Sequence, residues 1–278
     1  MRKAFLPVML FACSALLARD SLSARIAHTD PAQYKPYPGV HGGAGTLDLM
    51  PLFGDHDFGV NLYFLHRGVL EPKSGIGAHF HNTCEEMFVI LDGEAQFTID
   101  GRTSLLKGPA GALCQMGHSH AIYNATDKPV QWMNINVGRV KSKYDNFDLG
   151  DTRLGAPLDP IPTFITMRLD REMLKPTVDS ILYHRALSPD VFFTNWSYVD
   201  HLVVPAGHET ANERHENVEE FYYVMKGEGS ANVGNETAPI HAGDAVPVLF
   251  NEPHSFKSQT GELELMVVGI ARVKFALN

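Results

Sequence analysis

His79-Phe80-His81-Asn82-Thr83-Cys84-Glu85-Glu86-Met87-Phe88-Val89-Ile90-Leu91-Asp92-Gly93 is echoed further along the chain by Glu213-Arg214-His215-Glu216-Asn217-Val218-Glu219-Glu220-Phe221-Tyr222-Tyr223-Val224-Met225-Lys226-Gly227. His81 and His215, Glu86 and Glu220, Gly93 and Gly227, and His120 and His254 all lie 134 positions apart. Four matches at one spacing, without a gap, mean that the chain contains one unit twice. Each copy has the size of a small domain.

Both copies read as short strands. Residues 58–64 alternate in the manner of a half-buried strand. Residues 87–91, the turn Asp92-Gly93, residues 95–99 and the turn Asp100-Gly101 predict successive hairpins. Residues 132–137 and 263–270 close the copies as apolar strands. Long amphipathic helices are absent, and residues 168–174 suffice for one or two helical turns. Strands at this spacing predict an all-β chain of two tandem small barrels, jelly-roll-like, over 47–140 and 181–278. Residues 141–180, with Pro157, Pro160 and Pro162, are expected to connect them. Residues 25–46, with Pro31, Pro36, Pro38 and Gly42-Gly43-Ala44-Gly45, form an extended arm. That arm suits either a homodimer contact or a bridge between the two copies.

The first stretch resembles the leading motif of the cupin superfamily, G-x5-H-x-H-x4-E-x6-G, in His79-x-His81-x4-Glu86-x6-Gly93. Gly117-His118-Ser119-His120-Ala121-Ile122-Tyr123-Asn124 is similar to the end of the second cupin motif, with Gln115 where proline is usual. Lys73 falls where the leading glycine would, and Gly75 and Gly77 stand nearby; no ligand position is affected. The resemblance spans roughly residues 47–272 and implies a bicupin, a double-stranded β-helix in each copy. It implies that His79, His81, Glu86 and His120 hold a divalent transition metal (Fe, Mn, Ni, Cu or Zn), since imidazole and carboxylate discriminate weakly among these ions. Strand alternation lets His79 and His81 face one barrel mouth. Glu85 rivals Glu86, but Glu86 alone keeps the six-residue spacing to Gly93. Cys84 beside them reads as a small loop residue.

In the second copy Glu213 stands where His79 does, giving Glu213, His215, Glu220 and His254. Asn251 and Ser258 replace Gly117 and Asn124. This set suits either a second metal, harder on average, or a structural barrel whose former ligands make hydrogen bonds. His201 and His208 nearby read as ordinary polar residues. Beyond the ligands, Glu86 and His118 are candidate proton carriers, His118 also fitting an exposed loop histidine. Phe88, Ile90, Phe97 and Met133 suit the cavity wall or plain core. Asn134 and Asn136 share one strand face, where they would orient a polar substrate if it points inward. Sequons occur at Asn124, Asn195 and Asn235, the first inside the motif and so inaccessible.

A net charge of −9 without any basic run excludes nucleic acid and anionic membrane surfaces as partners. Hydrophobic residues at 44% and charged residues at 20% are those of a globular chain. Cys13, Cys84 and Cys114 are too few for a disulfide framework. Met1-Arg2-Lys3 followed by uncharged residues 4–18 reads as a secretory signal within residues 1–24, cut after Ala24, predicting a periplasmic or secreted protein; a misplaced start codon is the alternative. Leu10-Phe11-Ala12-Cys13 approaches a bacterial lipobox, so a lipid anchor is the one membrane attachment the sequence offers.

An open-coordination metal in an apolar barrel suits a small-molecule substrate. Among bicupins with this ligand set, the resemblance implies quercetinase-like dioxygenases and oxalate-decarboxylase-like enzymes. No acid/base lid residue singles out oxalate, so the expectation is a dioxygenase acting on a phenolic or keto-acid substrate. A metal-dependent isomerase or lyase, working without oxygen, and a non-enzymatic binding or storage bicupin are the rivals.

Overall fold

Every position of the strand Cys84–Ile90 is buried, although it carries two adjacent glutamates. A strand covered on both faces must lie inside a sheet, and this one runs between Ala110–Cys114 and Val130–Gly138. The computed structural model, which describes residues 20–274, builds the first barrel around it. One sheet orders Thr166–Arg168, Ala110–Cys114, Cys84–Ile90, Val130–Gly138, Leu62–Leu70, Thr46–Gly54 and Lys35–Pro38. The other orders Phe147–Asp148, Gly75–Phe80, Ser119–Tyr123, Glu94–Ile99 and Arg102–Lys107.

Two local expectations change. Cys84–Ile90 and Glu94–Ile99 do not pair as a hairpin; the turn at Asp92-Gly93 carries the chain from one sheet to the other. Asp-Gly chemistry fixes a tight reversal, with Gly93 at φ 61°, but not the sheet that the next strand joins. At Asp100-Gly101 the expected hairpin forms, Ile99 facing Arg102. The strand read at 58–64 begins only at Leu62. Phe58 and Val60 are buried from a loop instead.

The second barrel repeats the large sheet, ordering Ala27–His28, Asp244–Val248, Val218–Lys226, Leu263–Ala271, Trp196–Val204, Leu182–Leu187 and Lys175–Pro176. Its facing sheet keeps three strands, Glu236–His241, Glu228–Val233 and His254–Ser258. Among the described residues no strand of this barrel corresponds to Gly75–Phe80. Isolated bridges at Glu209 and Glu213 take its place.

The arm and connector are structural parts of both barrels. Lys35–Pro38 extends the first barrel's sheet, whereas Ala27–His28 pairs with the second barrel. Leu22 and Ile26 are buried in the second barrel's core, so a cut after Ala24 would remove a core residue. The apolar segment 4–18 lies outside the described residues. Phe147–Asp148 and Thr166–Arg168, from the connector, add edges to the first barrel. Arg171–Met173 forms a single 3-10 turn.

The largest hydrophobic cluster lies between the barrels, joining Phe53, Met87, Met133 and Ile135 to Phe192, Trp196, Phe221 and Met266. Two glutamates staple it reciprocally. Glu85 accepts from the Phe193 and Thr194 amides at 2.9 and 2.8 Å and from the Thr194 hydroxyl at 2.6 Å. Its counterpart Glu219 accepts from the Gly59 and Val60 amides at 2.6 and 3.1 Å. Glu85 therefore faces the other barrel. Alternation turns Glu86 the opposite way, into its own.

Candidate metal centre

His79 is the fifth of six residues in the strand Gly75–Phe80, His81 follows the strand, and His120 pairs with His79 across the sheet. Glu86 reaches the same point from the opposing sheet. All four residues are buried, and one ligand atom from each lies within 4.8 Å of the others. His120 Nε2 stands 3.0 Å from His79 Nε2 and 3.4 Å from His81 Nε2, and His81 Nε2 stands 2.9 Å from Glu86 Oε2.

The other ring nitrogens fix this orientation. His79 Nδ1–H donates to the Gly77 carbonyl at 2.9 Å and His81 Nδ1–H to the Asp145 carbonyl. That leaves both Nε2 lone pairs turned inward, the usual arrangement behind metal-bound histidine. Three buried imidazole nitrogens crowded on one carboxylate lack enough protons to bond one another. A divalent cation satisfies them all, so the donor set fits a transition metal. Asn134 and Asn136 do face inward, but they serve the ligand: their amides donate to Glu86 Oε1 at 2.5 Å and Oε2 at 2.7 Å.

Burial pushes the His79 pKa down to about 4 and that of His120 well below its usual value. Burial also works against charge on His81, but hydrogen bonds to Cys84 and Glu86 outweigh it and push its pKa up to about 11. For Glu86, burial raises the pKa, while the hydrogen bond and charge of His81 overcome this and hold it well below the carboxylate range. The metal-free centre thus stores one proton on His81, which an incoming ion must displace. Below the His81 pKa, apparent metal affinity should rise about tenfold per pH unit, with one proton released per ion. Chelator-competition titrations at two pH values check this. An affinity independent of pH would contradict it.

Several candidates lie elsewhere. His118 is half-buried in a loop and bonds Asp100 at 2.6 Å, outside the four-ligand group. Phe88 stacks on His120 with ring centres 4.4 Å apart, Ile90 belongs to the barrel core with Phe97, and Met133 sits between the barrels. Cys84 opens its strand and is buried beside His81; it and Cys114 are free thiols. His201 bonds Glu264, whereas Asn124 is buried with its amide on backbone carbonyls.

Above Glu86 lies a cavity of about 330 Å³ walled by Tyr37, Leu47, Leu49, Phe64, Trp132 and Tyr144, with His41, His66 and Asn134 as its polar neighbours. His41, from the arm, stacks on His79 at 3.8 Å and bonds Asp148 of the connector at 2.5 Å. Gly77 makes room for the arm, since a Cβ there would meet the His41 carbonyl at 2.1 Å. Sequence reasoning missed His41 and Tyr144, which sit in segments without a periodic pattern.

In the second barrel Glu213, His215 and His254 converge, and Glu220 Oε2 lies 3.5 Å from His215 and 3.2 Å from His254. Here two tyrosines intervene. Tyr222, in the place of Phe88, lies 3.0 Å from His254 Nε2 and 3.2 Å from Glu220, while the Tyr198 hydroxyl donates to Glu220 at 2.5 Å. Gly269 pairs with Glu220 as Asn136 pairs with Glu86. The Tyr198 ring fills the space that a side chain at Gly269 would need, 2.3 Å from its Cβ position.

Two double-sheet barrels, one carrying a buried three-histidine, one-glutamate centre, define a bicupin. Residues 66–136 and 200–270 each match the cupin domain, and the chain belongs to the cupin family. It is 27% identical over 100 residues to an oxalate-binding protein of Thermotoga maritima, covering 35% of this chain and 81% of that one. Among solved structures, the Bacillus subtilis oxalate decarboxylase, described with Mn(II) centres, is similar with a TM-score of 0.63 at 15% identity, over 90% of this chain and 78% of that one. A salicylate 1,2-dioxygenase from Pseudaminobacter salicylatoxidans is similar with a TM-score of 0.57 at 17% identity, over 77% and 72%. At these identities the structural likenesses establish the fold.

Proposed function

We propose that the chain is a metal-dependent dioxygenase of quercetinase-like type, acting on an uncharged organic substrate in the first barrel. The observation that carries this is the wall of the cavity over Glu86: most of its side chains are aromatic or aliphatic, and no lysine or arginine lines it among the described residues. A small dianion such as oxalate would leave its charge answered by the metal alone, in surroundings that penalise charge. A flat, largely apolar molecule gains from the same walls.

When bound, a divalent metal supplies Lewis acidity and, if redox-active, one-electron chemistry with dioxygen. The protein holds that ion through His79, His81, His120 and Glu86, and Asn134 and Asn136 keep Glu86 aimed at it. Tyr37 and His41 from the arm and Tyr144 from the connector cover the cavity and limit water. The second barrel, its carboxylate and histidine engaged by Tyr198 and Tyr222, is proposed as the structural partner.

The test is oxygen consumption by iron-, manganese-, nickel- and copper-loaded protein with uncharged phenolic substrates, keto acids and oxalate being included as anionic comparisons. Uptake with an organic substrate and none with oxalate is expected. Turnover that persists without oxygen would favour an isomerase or lyase, and no turnover with any substrate a binding or storage role.

A further inference from the structure

Where the arm leaves the second barrel, three side chains meet that neither barrel centre uses. His28 closes the strand Ala27–His28 and pairs with Asp244 along the sheet edge. His241 ends the strand Glu236–His241, three positions before Asp244. His28 Nδ1 stands 2.7 Å from Asp244 Oδ1, and His241 Nδ1 stands 2.9 Å from Oδ2. One ligand atom from each residue lies within 4.8 Å of the other two. The Asp244 side chain is only 4% exposed, and among the described residues no lysine or arginine pairs with it. The backbone fixes its aim. The His241 amide donates to Oδ2 at 2.9 Å, and the Thr29 amide and hydroxyl hold the Gly243 carbonyl at 3.1 and 2.6 Å.

We infer that His28, His241 and Asp244 form a metal site outside both barrel centres, which takes a divalent transition metal such as zinc and clamps the arm to the second barrel. Two imidazoles and a carboxylate are donors that zinc, nickel and copper favour. A carboxylate held out of water without a cation is costly, and an ion at this point answers its charge. Both rings are more than half exposed. The proton on each Nδ1 therefore passes to Nε2 on the solvent side, and the Nδ1 lone pairs turn to the ion. Water fills the remaining coordination positions. His28 and Asp244 are 216 positions apart, so the ion ties together segments that only the fold brings near. The same arm carries Tyr37 and His41 to the first barrel's cavity. The clamp thus fixes one end of a segment whose other end covers the first metal centre, whatever reaction runs there.

The experiment is equilibrium dialysis of the tag-free full chain, its first centre loaded with zinc, against about 10 μM free zinc, with metal counted per chain by elemental mass spectrometry. Three protein ligands open to water imply a dissociation constant of about 1 μM, far weaker than a buried four-ligand centre. The site therefore fills under these conditions and empties on dialysis into metal-free buffer. Wild type should take up one ion beyond the first barrel's. His28→Ala and His241→Ala should each lose that ion, a weakening of about a hundredfold, and keep the other. Zinc should also slow hydrogen exchange at the Thr29 amide, which bonds the Gly243 carbonyl, in wild type and not in His241→Ala. No additional ion in wild type overturns the inference, as does an additional ion that both variants retain. Thr29 exchange indifferent to zinc overturns the clamp even where a variant fails to fold. An additional ion lost in His215→Ala alone would lie in the second barrel and overturn the site.

Discussion

Replacing His81 by alanine empties the first barrel of metal, while His215→Ala leaves the metal content near one ion per chain. Ligand number sets the size of the effect. A four-ligand structural zinc site is worth roughly 10–16 kcal/mol, so losing one ligand costs about 3 kcal/mol or more, on the order of a hundredfold to a thousandfold in affinity. His81 stands inside the group, its Nε2 2.9 Å from Glu86 Oε2 and 3.4 Å from His120 Nε2. Activity that depends on the metal should fall with it to background. In the second barrel His215 is partly exposed and stands 3.5 Å from both Glu213 and Glu220. There the Tyr222 hydroxyl already contacts His254 Nε2 and Glu220. Elemental mass spectrometry of purified wild type and both variants decides the matter. Two ions in wild type, one of them lost in His215→Ala, would show that the tyrosines do not displace a second metal.

What could be read in advance follows from how each feature is encoded. The convergence of His79, His81, Glu86 and His120 was legible because two motifs carry them at set spacings, and a second copy at constant distance repeated three of the four. Inward-facing Asn134 and Asn136 were half legible: alternation put them on one face, but pairing with Cys84–Ile90 was needed to show that they hold Glu86. The change of sheet at Asp92-Gly93 was hidden, because a turn sequence specifies a reversal and carries no information about the partner strand. His41, Tyr144 and the Asp145 carbonyl were hidden for another reason. They come from proline- and glycine-rich segments, and contacts across 38 or more positions, such as His41 on His79, leave no local periodicity. In the second barrel Tyr222 was visible in the aligned repeat as the substitute for Phe88. Its meaning depended on a hydroxyl falling between a histidine and a carboxylate.

Glu85 and Glu86 divide two tasks between adjacent positions, and substituting each should separate them. Glu85→Ala is expected to destabilise the fold by about 3 kcal/mol, because it removes three hydrogen bonds to a charged acceptor and strands two amides at the barrel interface. Relief of the carboxylate's own desolvation, which pushes its pKa up, offsets part of a larger gross loss. In urea this corresponds to a midpoint lower by roughly 1 M. Each barrel also keeps its own core, so loosening the interface should let the barrels unfold in separate steps, seen as two transitions in place of one. Glu219→Ala, which strands the Gly59 and Val60 amides, should behave alike from the other side. Metal bound per folded chain should be unchanged in both. Glu86→Ala should do the opposite, losing the metal while the interface holds. An unchanged urea midpoint in Glu85→Ala, or loss of metal from its folded form, would mean that the two barrels are not joined through this residue.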